Sequence, residues 1–512
     1  MSYPERHILE TLIYLPMLAA VVLVFLPGAN RALIRAVGIV TGALLLVGSI
    51  YTFAAFDYGA GSATFQLLRT YPWVEQLGID FRLGVDGIAV PMVLLTGIVS
   101  FAATIIAANR DEDPKSYYVL LFLLIAGVYG TFVSLDLFFL FFFYELAIVP
   151  MYMLIGIWGS STTFKDFVRT KEYGALKLVL MIVAASVLVW IAIIVIYVED
   201  GSRTFNIIAL AASAQDGGFS EGFQRAVFPL VMIGFGLLAG MWPFHTWSPD
   251  GHVAAPTSVS MLHAGVLMKL GAFGILSVGI RLLPQGAAHW APTFTVLAAI
   301  GIVYGAFVAI RQTDFKFVIG FSSVSHMGIV LLGLNLATLG QAGEDALNGA
   351  VFQMFAHGIM TALFFSTVGF IYDRAHSKTI ADFGGLGAQM PRAVSIFIVA
   401  GLCGAGLPGL ASFWAELLVF LAALKTYPLV GGVVIVGLVL TAVYILRVFR
   451  DAFFGEANPR WQSLVGLDMA GWQLLPRAIL VGVLLFFGFF PRFLLDVIDS
   501  TTTSVLARFW MQ

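Results

Sequence analysis

Apolar runs of about 20 residues recur along the whole chain, and they limit its possible folds more than any other feature. A helix of about 20 residues, rising about 1.5 Å per residue, crosses about 30 Å of hydrocarbon. Because 60% of the residues are apolar and only 11% are charged, the chain has too few polar residues to cover a water-facing surface of its size. The pattern predicts an all-α, polytopic membrane bundle of about fourteen transmembrane helices.

The expected helices end where glycine, proline or charged residues interrupt the apolar sequence. They cover residues 8–27, 32–56, 86–108, 116–133, 135–158, 172–198, 225–247, 255–281, 290–310, 317–338, 346–372, 392–420, 429–453 and 476–498. The first run follows Arg6 and has no small-residue cleavage site, so we expect it to remain as a helix.

Charge and cysteine content exclude several classes of function. The net charge is −2, from 27 basic and 29 acidic residues, so nothing attracts nucleic acid. Cys403 is the single cysteine, which excludes a disulfide or a cysteine-ligated cluster within the chain alone. His245 and His252 lack the helical spacing of a metal pair because Pro249 lies between them. We expect no metal or cofactor on this chain, and any redox cofactor on another polypeptide.

Lysine and arginine are concentrated in the loops that follow odd-numbered helices. Examples are the segments from Lys165 to Lys171 and from Arg374 to Arg392, whereas loops after even-numbered helices, such as 201–222 and 341–345, are poorer in basic residues. The positive-inside tendency then places the odd-numbered exits in the cytoplasm. Both termini are predicted to lie on the non-cytoplasmic side.

Glycine and proline interrupt two of the predicted helices. The seventh contains GMWPFHTWSP at 240–249, and the twelfth contains GLCGAGLP at 401–408. Proline removes a backbone donor, so the freed polar groups need buried partners or water. The breaks lie five helices apart, which indicates two inverted five-helix repeats. The predicted division is helices 1–3 at 1–115, the first repeat at 116–283, the second repeat at 284–455 and a C-terminal helix at 456–512.

Several ionisable residues lie far from any predicted helix end, where burial is costly unless the charge is paired, hydrated or lost. They belong to different helices but share a depth, which a proton relay parallel to the membrane requires. No GxSxG or HExxH motif suggests hydrolysis instead. The candidates are Glu145, His245, Lys269, His326, His357 and Glu416.

A structural role is the alternative for these residues. Position alone is as consistent with His326 and His357 hydrogen-bonding between helices as with their transferring protons. Glu145 and Lys269 could hold helices together as a pair, but buried pairs contribute little net stability, which favours a function. Lys177 is close enough to the start of its helix to extend to the membrane interface.

The segment 140–159, LFFFYELAIVPMYMLIGIWG, resembles the fifth helix of the M subunit of proton-pumping NADH:quinone oxidoreductase, respiratory complex I. The motifs are shared with Mrp cation/proton antiporter subunits and membrane subunits of energy-converting hydrogenases, but PMYMLIGIWG favours the M type. Further matches span nearly the whole chain: GVDG at 84–87, PFHTWSPDGH at 243–252, 255–274, DFKFVIGFSSVSHMG at 314–328, 349–369 and LPGLASFWAE at 407–416.

The resemblance implies proton translocation in the cell inner membrane, driven by quinone reduction in other subunits. By analogy, Glu145 is the acidic partner on the input side, Lys269 is the central relay, His326 and His357 continue the path, and Glu416 is the terminal proton-loading residue. NADH, FMN, iron–sulfur clusters and quinone would be bound by partner subunits. The membrane partners would be L-type and N-type antiporter-like subunits. An Mrp-like antiporter, a hydrogenase membrane subunit and a membrane scaffold are the alternatives.

One position departs from the family pattern. The family carries a lysine in the first half of the broken seventh helix, paired with the carboxylate matching Glu145, but residues 233–243 here are IGFGLLAGMWP. Lys177 lies on the adjacent sixth helix, where related proteins often carry a lysine. We therefore predict that Lys177 approaches Glu145 directly or through one water, with His245 as the next station toward Lys269.

Overall fold

The computed structural model describes residues 3–59, 64–163, 168–340, 342–464 and 466–510; Lys165 lies outside them. Within this part of the chain, 13 helices are long and apolar enough to cross a membrane. The predicted twelfth helix is divided into Pro391–Gly404 and Ala411–Thr426. When that divided helix is taken as one crossing, the structure confirms the predicted helical bundle and its number of crossings.

Most crossings begin and end close to the bounds expected from the apolar runs. The fourteenth is an exception: it ends at Phe489 instead of residue 498, because the chain breaks at Pro491 and continues as a separate helix, Arg492–Trp510. The helix Ile207–Gln215 was also not expected. The α-helices are α1 Tyr3–Phe25, α2 Arg31–Ala55, α3 Ala89–Ala107, α4 Pro114–Val133, α5 Leu137–Trp158, α6 Lys171–Asp200, α7 Ile207–Gln215, α8 Glu221–Leu238, α9 Trp247–Ala254, α10 Thr257–Leu262, α11 Met268–Gly274, α12 Pro284–Arg311, α13 Phe315–Leu336, α14 Gly343–Ala375, α15 Leu386–Gln389, α16 Pro391–Gly404, α17 Ala411–Thr426, α18 Pro428–Val448, α19 Leu475–Phe489 and α20 Arg492–Trp510. The eighth membrane span is Thr257–Ile280, which contains α10, α11 and two π-helical turns.

Two short antiparallel hairpins lie in connections that the sequence prediction left without strands. β1 Gln66–Val74 pairs with β2 Ile79–Val85, and β3 Thr162–Thr163 pairs with β4 Val168–Arg169. Every second residue is buried from Ile79 to Leu83, which is the period of a strand with one face on the bundle, and the last three residues of β2 are all buried. Gly78 joins the first pair with φ +66°, a left-handed conformation that favours glycine.

Both glycine–proline segments break their helices, as predicted. In the seventh helix, α8 ends at Leu238, and Gly240 then turns the chain with φ +80°. The chain resumes as α9 at Trp247, whose indole N–H donates to the Leu237 oxygen at 3.1 Å. In the twelfth helix, Gly406 lies between α16 and α17 with φ +69°. The breaks are therefore ordered turns whose freed carbonyl groups find partners.

The loops that follow odd-numbered helices lie together at one end of the bundle. Lys378 Nζ, in the loop after the eleventh helix, is 3.4 Å from Ser160 Oγ after the fifth. Arg35, near the start of α2, donates to the Arg110 backbone oxygen at 3.0 Å, which joins this end of α2 to the loop after the third helix. The β1–β2 hairpin precedes α3 and lies at the opposite end. This grouping agrees with the charge pattern of the sequence.

Two aspartates each cap a helix and form a β-bridge to a neighbouring loop, at opposite ends of the bundle. We call these two arrangements the aspartate joints. Asp136 caps the start of α5 and forms a β-bridge with Asn206. Asp314 caps the start of α13, the tenth crossing, and forms a β-bridge with Thr379. Burial raises the pKa of Asp136 to about 6 and also raises the pKa of Asp314. The joints recur five helices apart on helices of opposite direction.

A buried ion pair fastens the entry of the third helix to the end of the eighth span. The Arg281 and Asp86 side chains are 5% and 2% exposed and form an ion pair. Asp86 also accepts hydrogen bonds from first-turn N–H groups of α3. Gly87 donates its N–H to Thr501 Oγ1 on α20 at 2.8 Å. This junction connects α3, the eighth span and the C-terminal helix.

Candidate functional site

Four of the candidate residues form a continuous row inside the bundle, which we call the central line: Lys269, His357, His326 and Glu416. Lys269 Nζ is 2.8 Å from His357 Nδ1. The His357 and His326 rings are stacked with centroids 5.5 Å apart. His326 Nε2 is 3.6 Å from Glu416 Oε1. All four residues are at most 2% exposed, and they come from four different helices.

Lys269 owes its position to irregularities in the eighth span. The π-helical turns His263–Leu267 and Ile275–Ile280 flank α11, which carries the lysine. A π turn alters the regular hydrogen-bond ladder and often occurs at functional sites. The Lys269 ammonium donates to the Ala264 backbone oxygen at 2.5 Å. The amine is thus anchored on its own helix while its remaining hydrogen-bonding capacity faces His357.

His326 is surrounded by acceptors on both sides of its ring. Nδ1 lies 2.8 Å from the Ser322 backbone oxygen, and Nε2 lies 3.0 Å from the Gly404 backbone oxygen. A neutral imidazole carries one N–H, so it can donate to only one of these oxygens, whereas an imidazolium can donate to both. Tyr444 donates to Ser322 Oγ at 2.6 Å. The protonated ring can therefore use both backbone acceptors, whereas the neutral ring can use only one.

Glu416 lies on α17, which begins directly after the break in the twelfth helix. Gln353 Nε2 donates to Glu416 Oε1 at 3.3 Å, whereas Glu416 Oε2 is buried without a hydrogen-bond partner among the described residues. A Cβ atom placed on Gly406 would lie 2.7 Å from Oε2. The absence of a side chain at Gly406 thus leaves space for the carboxylate at the end of the central line.

Replacing Gly406 by alanine should displace Glu416 and reduce proton transport. Its φ of +69° is unfavourable for alanine by about 1–2 kcal/mol, and the added methyl would collide with the carboxylate. Gly432→Ala is the matched control, because a Cβ there meets nothing within 4 Å. The measurement is protons moved per NADH oxidised in membrane vesicles. An unchanged ratio in an assembled Gly406→Ala variant would contradict this role of the break.

Glu145 is apart from the central line and is half-buried on α5. Its Oε1 atom is buried without a hydrogen-bond partner in the described part of the chain. The adjacent Tyr144 hydroxyl accepts a hydrogen bond from Ser186 Oγ on α6 at 3.2 Å. A carboxylate in this position has polar neighbours, but no cation among the described residues forms an ion pair with it.

The predicted direct contact between Lys177 and Glu145 is wrong. Lys177 Nζ instead binds Asp250 Oδ2 at 2.7 Å, and Arg169 forms an ion pair with Asp250 Oδ1. Lys177 precedes Ser186, beside Glu145, by about 13.5 Å of helix rise, which is longer than a lysine side chain. The two residues lie on neighbouring helices but at different depths in the membrane.

His245 lies in the broken part of the seventh helix and is 2% exposed. Neither of its ring nitrogens has a hydrogen-bond partner among the described residues. Its ring instead contacts Tyr304, with centroids 5.1 Å apart. The structure shows no hydrogen bond joining His245 to Lys177 or Lys269. Its predicted place between them stays a prediction.

Sequence reasoning missed Asp250 and a buried histidine pair. The rings of His252 on α9 and His263 in the eighth span have centroids 3.9 Å apart, and their four ring nitrogens have no partner among the described residues. Lys316 donates to the Ala255 backbone oxygen at 2.8 Å nearby. The sequence signal that could have identified this pair is the presence of single histidines within or beside apolar runs. His263 lies on the same span as Lys269, which extends the buried polar groups toward α9.

Known proteins resemble this chain over nearly its whole length. A family model described as NADH:quinone oxidoreductase/Mrp antiporter, TM, matches residues 134–442, which include the central line. A Synechococcus protein named NAD(P)H-quinone oxidoreductase chain 4 is 33% identical, over 98% of this chain and 93% of its own length. A Rickettsia typhi protein named NADH-quinone oxidoreductase subunit M is 32% identical, over 99% of this chain and 100% of its own length.

Solved structures show the same fold. A chain in the structure of respiratory complex I from Thermus thermophilus with bound NADH superimposes with a TM-score of 0.85 at 24% identity, covering 97% of this chain and 99% of that one. A chain of the Mrp complex from a Dietzia species superimposes with a TM-score of 0.83 at 20% identity, covering 99% and 98%. From the family model and the sequence identities, this chain belongs to the family of NADH:quinone oxidoreductase and Mrp antiporter membrane subunits.

Proposed function

We propose that this chain is the M-type antiporter-like subunit of a respiratory NADH:quinone oxidoreductase and that it moves protons along the central line. The observation that carries the proposal is the row of four neighbouring buried ionisable groups, held on four helices. Burying such groups is costly, and a structural role would need only one satisfied pair. The name subunit M of a relative 32% identical over its full length supports the M type.

The geometry suggests an order of proton transfer. A proton on Lys269 passes to His357 Nδ1, and the resulting imidazolium then carries an N–H on each ring nitrogen. His357 Nε2 has no partner among the described residues, so water can bridge it to the stacked His326. The water gives a proton to the unprotonated Nδ1 of His326, and the resulting imidazolium releases its Nε2 proton to Glu416 Oε1 by leaving the Gly404 oxygen.

On the input side, we assign the role of the absent helix-seven lysine to the Lys177–Asp250 pair. The Asp250 side chain is 4% exposed and contacts two cations. A single carboxylate therefore balances both positive charges in this cluster. Asp250 lies on α9, between His245 and His252 in sequence, whereas Lys177 lies on α6 and Arg169 on β4. Glu145 would exchange protons on the same side through the hydroxyl groups beside it.

Asp250→Asn should reduce proton pumping several-fold, because Lys177 and Arg169 then lack their carboxylate and the excess charge opposes protonation of His245. The measurement is the ratio of proton uptake to NADH oxidation in inverted membrane vesicles. Asp200→Asn is the control, since Asp200 is near the exposed end of the helix that carries Lys177. A Lys177→Gln/Asp250→Asn double variant should pump better than Asp250→Asn alone. Equal ratios in the wild type and Asp250→Asn would remove Asp250 from the mechanism.

The partners and cofactors follow from the proposed function. NADH, FMN, iron–sulfur clusters and quinone would be bound by other subunits, and L-type and N-type subunits would be the neighbours in the inner membrane. Purification of the chain through an affinity tag tests this directly. Flavin- and iron–sulfur-containing subunits with NADH oxidation should co-purify. Sodium–proton exchange without those subunits would instead establish the Mrp-like alternative.

We propose that both termini lie outside the cytoplasm. The native Cys403 is fully buried, so single cysteines introduced elsewhere should be labelled selectively. Glu112→Cys, in the exposed loop after the third helix, should react with an impermeant maleimide only after cells are opened. Glu75→Cys, at the exposed tip of the β1–β2 hairpin, should react in spheroplasts that are intact. The opposite pattern would reverse the orientation.

A further inference from the structure

A groove of about 720 Å³ opens on the side of the protein between α1 and the β1–β2 hairpin. Its polar end is formed by Glu10, whose Oε1 accepts a hydrogen bond from the Tyr71 hydroxyl at 2.8 Å. His7 Nδ1 lies 3.6 Å from the same oxygen. Glu10 is only 7% exposed, yet its Oε2 atom has no partner among the described residues. A buried carboxylate oxygen of this kind calls for a hydrogen-bond donor.

The walls of the groove are aromatic near the carboxylate and aliphatic farther along α1. The Phe81 ring lies between Tyr14 and Tyr71, with centroids 6.1 and 6.2 Å away. Leu15 and Leu18 line the other end, and Leu18 is 60% exposed. From Glu10 to Leu18 the helix rises about 12 Å. The polar end therefore lies at the membrane interface, next to the hairpin, and the apolar end descends into the hydrocarbon.

This polarity matches a phospholipid with its headgroup at the surface and one acyl chain along α1. Aromatic faces beside a carboxylate attract a cation, as in sites for ammonium groups. The unsatisfied Glu10 Oε2 also needs an N–H donor, which a primary ammonium has and a quaternary ammonium lacks. We propose that this groove binds a phospholipid with a primary ammonium headgroup, such as phosphatidylethanolamine, through Glu10, Tyr71 and the aromatic wall.

Native mass spectrometry of the delipidated full-length chain, titrated with three phospholipids of identical acyl chains, tests the proposal. Phosphatidylethanolamine should bind at least tenfold more tightly than phosphatidylcholine or phosphatidylglycerol. Glu10→Gln should abolish that preference, whereas Glu75→Gln, an exposed acid on the hairpin, should keep it. Tyr71→Phe keeps the ring and removes the donor to Glu10, so it should alter the preference even if Glu10→Gln folds poorly. Equal binding of the three lipids, or a preference for phosphatidylglycerol, would overturn the proposal.

A second measurement distinguishes lipid from a protein neighbour in the assembled complex. A photoreactive amino acid in place of Leu18 should form crosslinks to phospholipid when the complex is illuminated in its native membrane. Crosslinks to another subunit would show that the groove is a protein interface and would overturn the proposal. The lipid preference is independent of proton pumping, so failure of either test leaves the proposed transport function unaffected.

Discussion

Replacing Lys269 by methionine should reduce proton pumping at least about tenfold while the complex still assembles, since acid–base groups contribute about 10²–10⁴-fold to the steps they serve. Methionine has a similar length but no titratable group. The central line therefore loses the amine that contacts both His357 and the Ala264 oxygen. Glu416→Gln should have a comparable effect, because the amide cannot accept the proton from His326. The measurement is the pumped proton yield per NADH oxidised in inverted vesicles.

Lys425→Met is the matched control for the Lys269 variant. Lys425 is 61% exposed and pairs with Asp345 at the surface, where an ion pair contributes only about 0–1 kcal/mol. Pumping should therefore stay at the wild-type level in this variant. Assembly of each variant is followed on blue-native gels. A well-assembled Lys269→Met/Glu416→Gln double variant that pumped like the wild type would show that the central line is structural.

Asp86→Asn should destabilise the folded protein by about 3–5 kcal/mol, the usual cost of breaking a buried ion pair on one side. Asparagine can still accept the hydrogen bonds that cap α3, so the change removes chiefly the charge that faces Arg281. The expected result is a large loss of folded protein in the membrane. The measurement is unfolding of the purified protein in a detergent titration.

The buried pair has two useful controls. Arg281→Met/Asp86→Asn removes both charges and should recover much of the lost stability, because no unpaired charge remains in the interior. Asp345→Asn removes an exposed carboxylate that also pairs with a cation, and it should change stability little. Stability as low in the double variant as in Asp86→Asn would show that the backbone hydrogen bonds, not the charge, hold this junction.

The helical crossings and both breaks could be predicted from sequence because each signal is local. An apolar run of sufficient length identifies a crossing by itself, and glycine with proline weakens the helix wherever they occur together. The four residues of the central line were recognised because ionisable groups are rare at membrane depth. Their mutual contacts depend on how α11, α13, α14 and α17 pack, which no single segment encodes.

Lys177 shows why the input side could not be predicted in the same way. Its helix was correctly placed beside α5, but the contact was assigned from the order of the helices without comparing depths. Asp250 was overlooked because it follows Pro249 in a segment interpreted as a break, although the structure places it in α9, 4% exposed on its side chain. The π turns around Lys269 likewise leave no distinct pattern in an apolar sequence.

The two aspartate joints have a consequence for the energised membrane. Asp136 and Asp314 cap helices that begin at opposite ends of the bundle, so the two buried carboxyl groups lie near opposite membrane surfaces. With a pKa near 6, Asp136 binds protons in a mildly acidic compartment and then accepts fewer hydrogen bonds at the first turn of α5. A change of charge at either joint would act on the first turn of its own helix, α5 with Glu145 or α13 with His326. The two helices would therefore respond at opposite sides of the membrane.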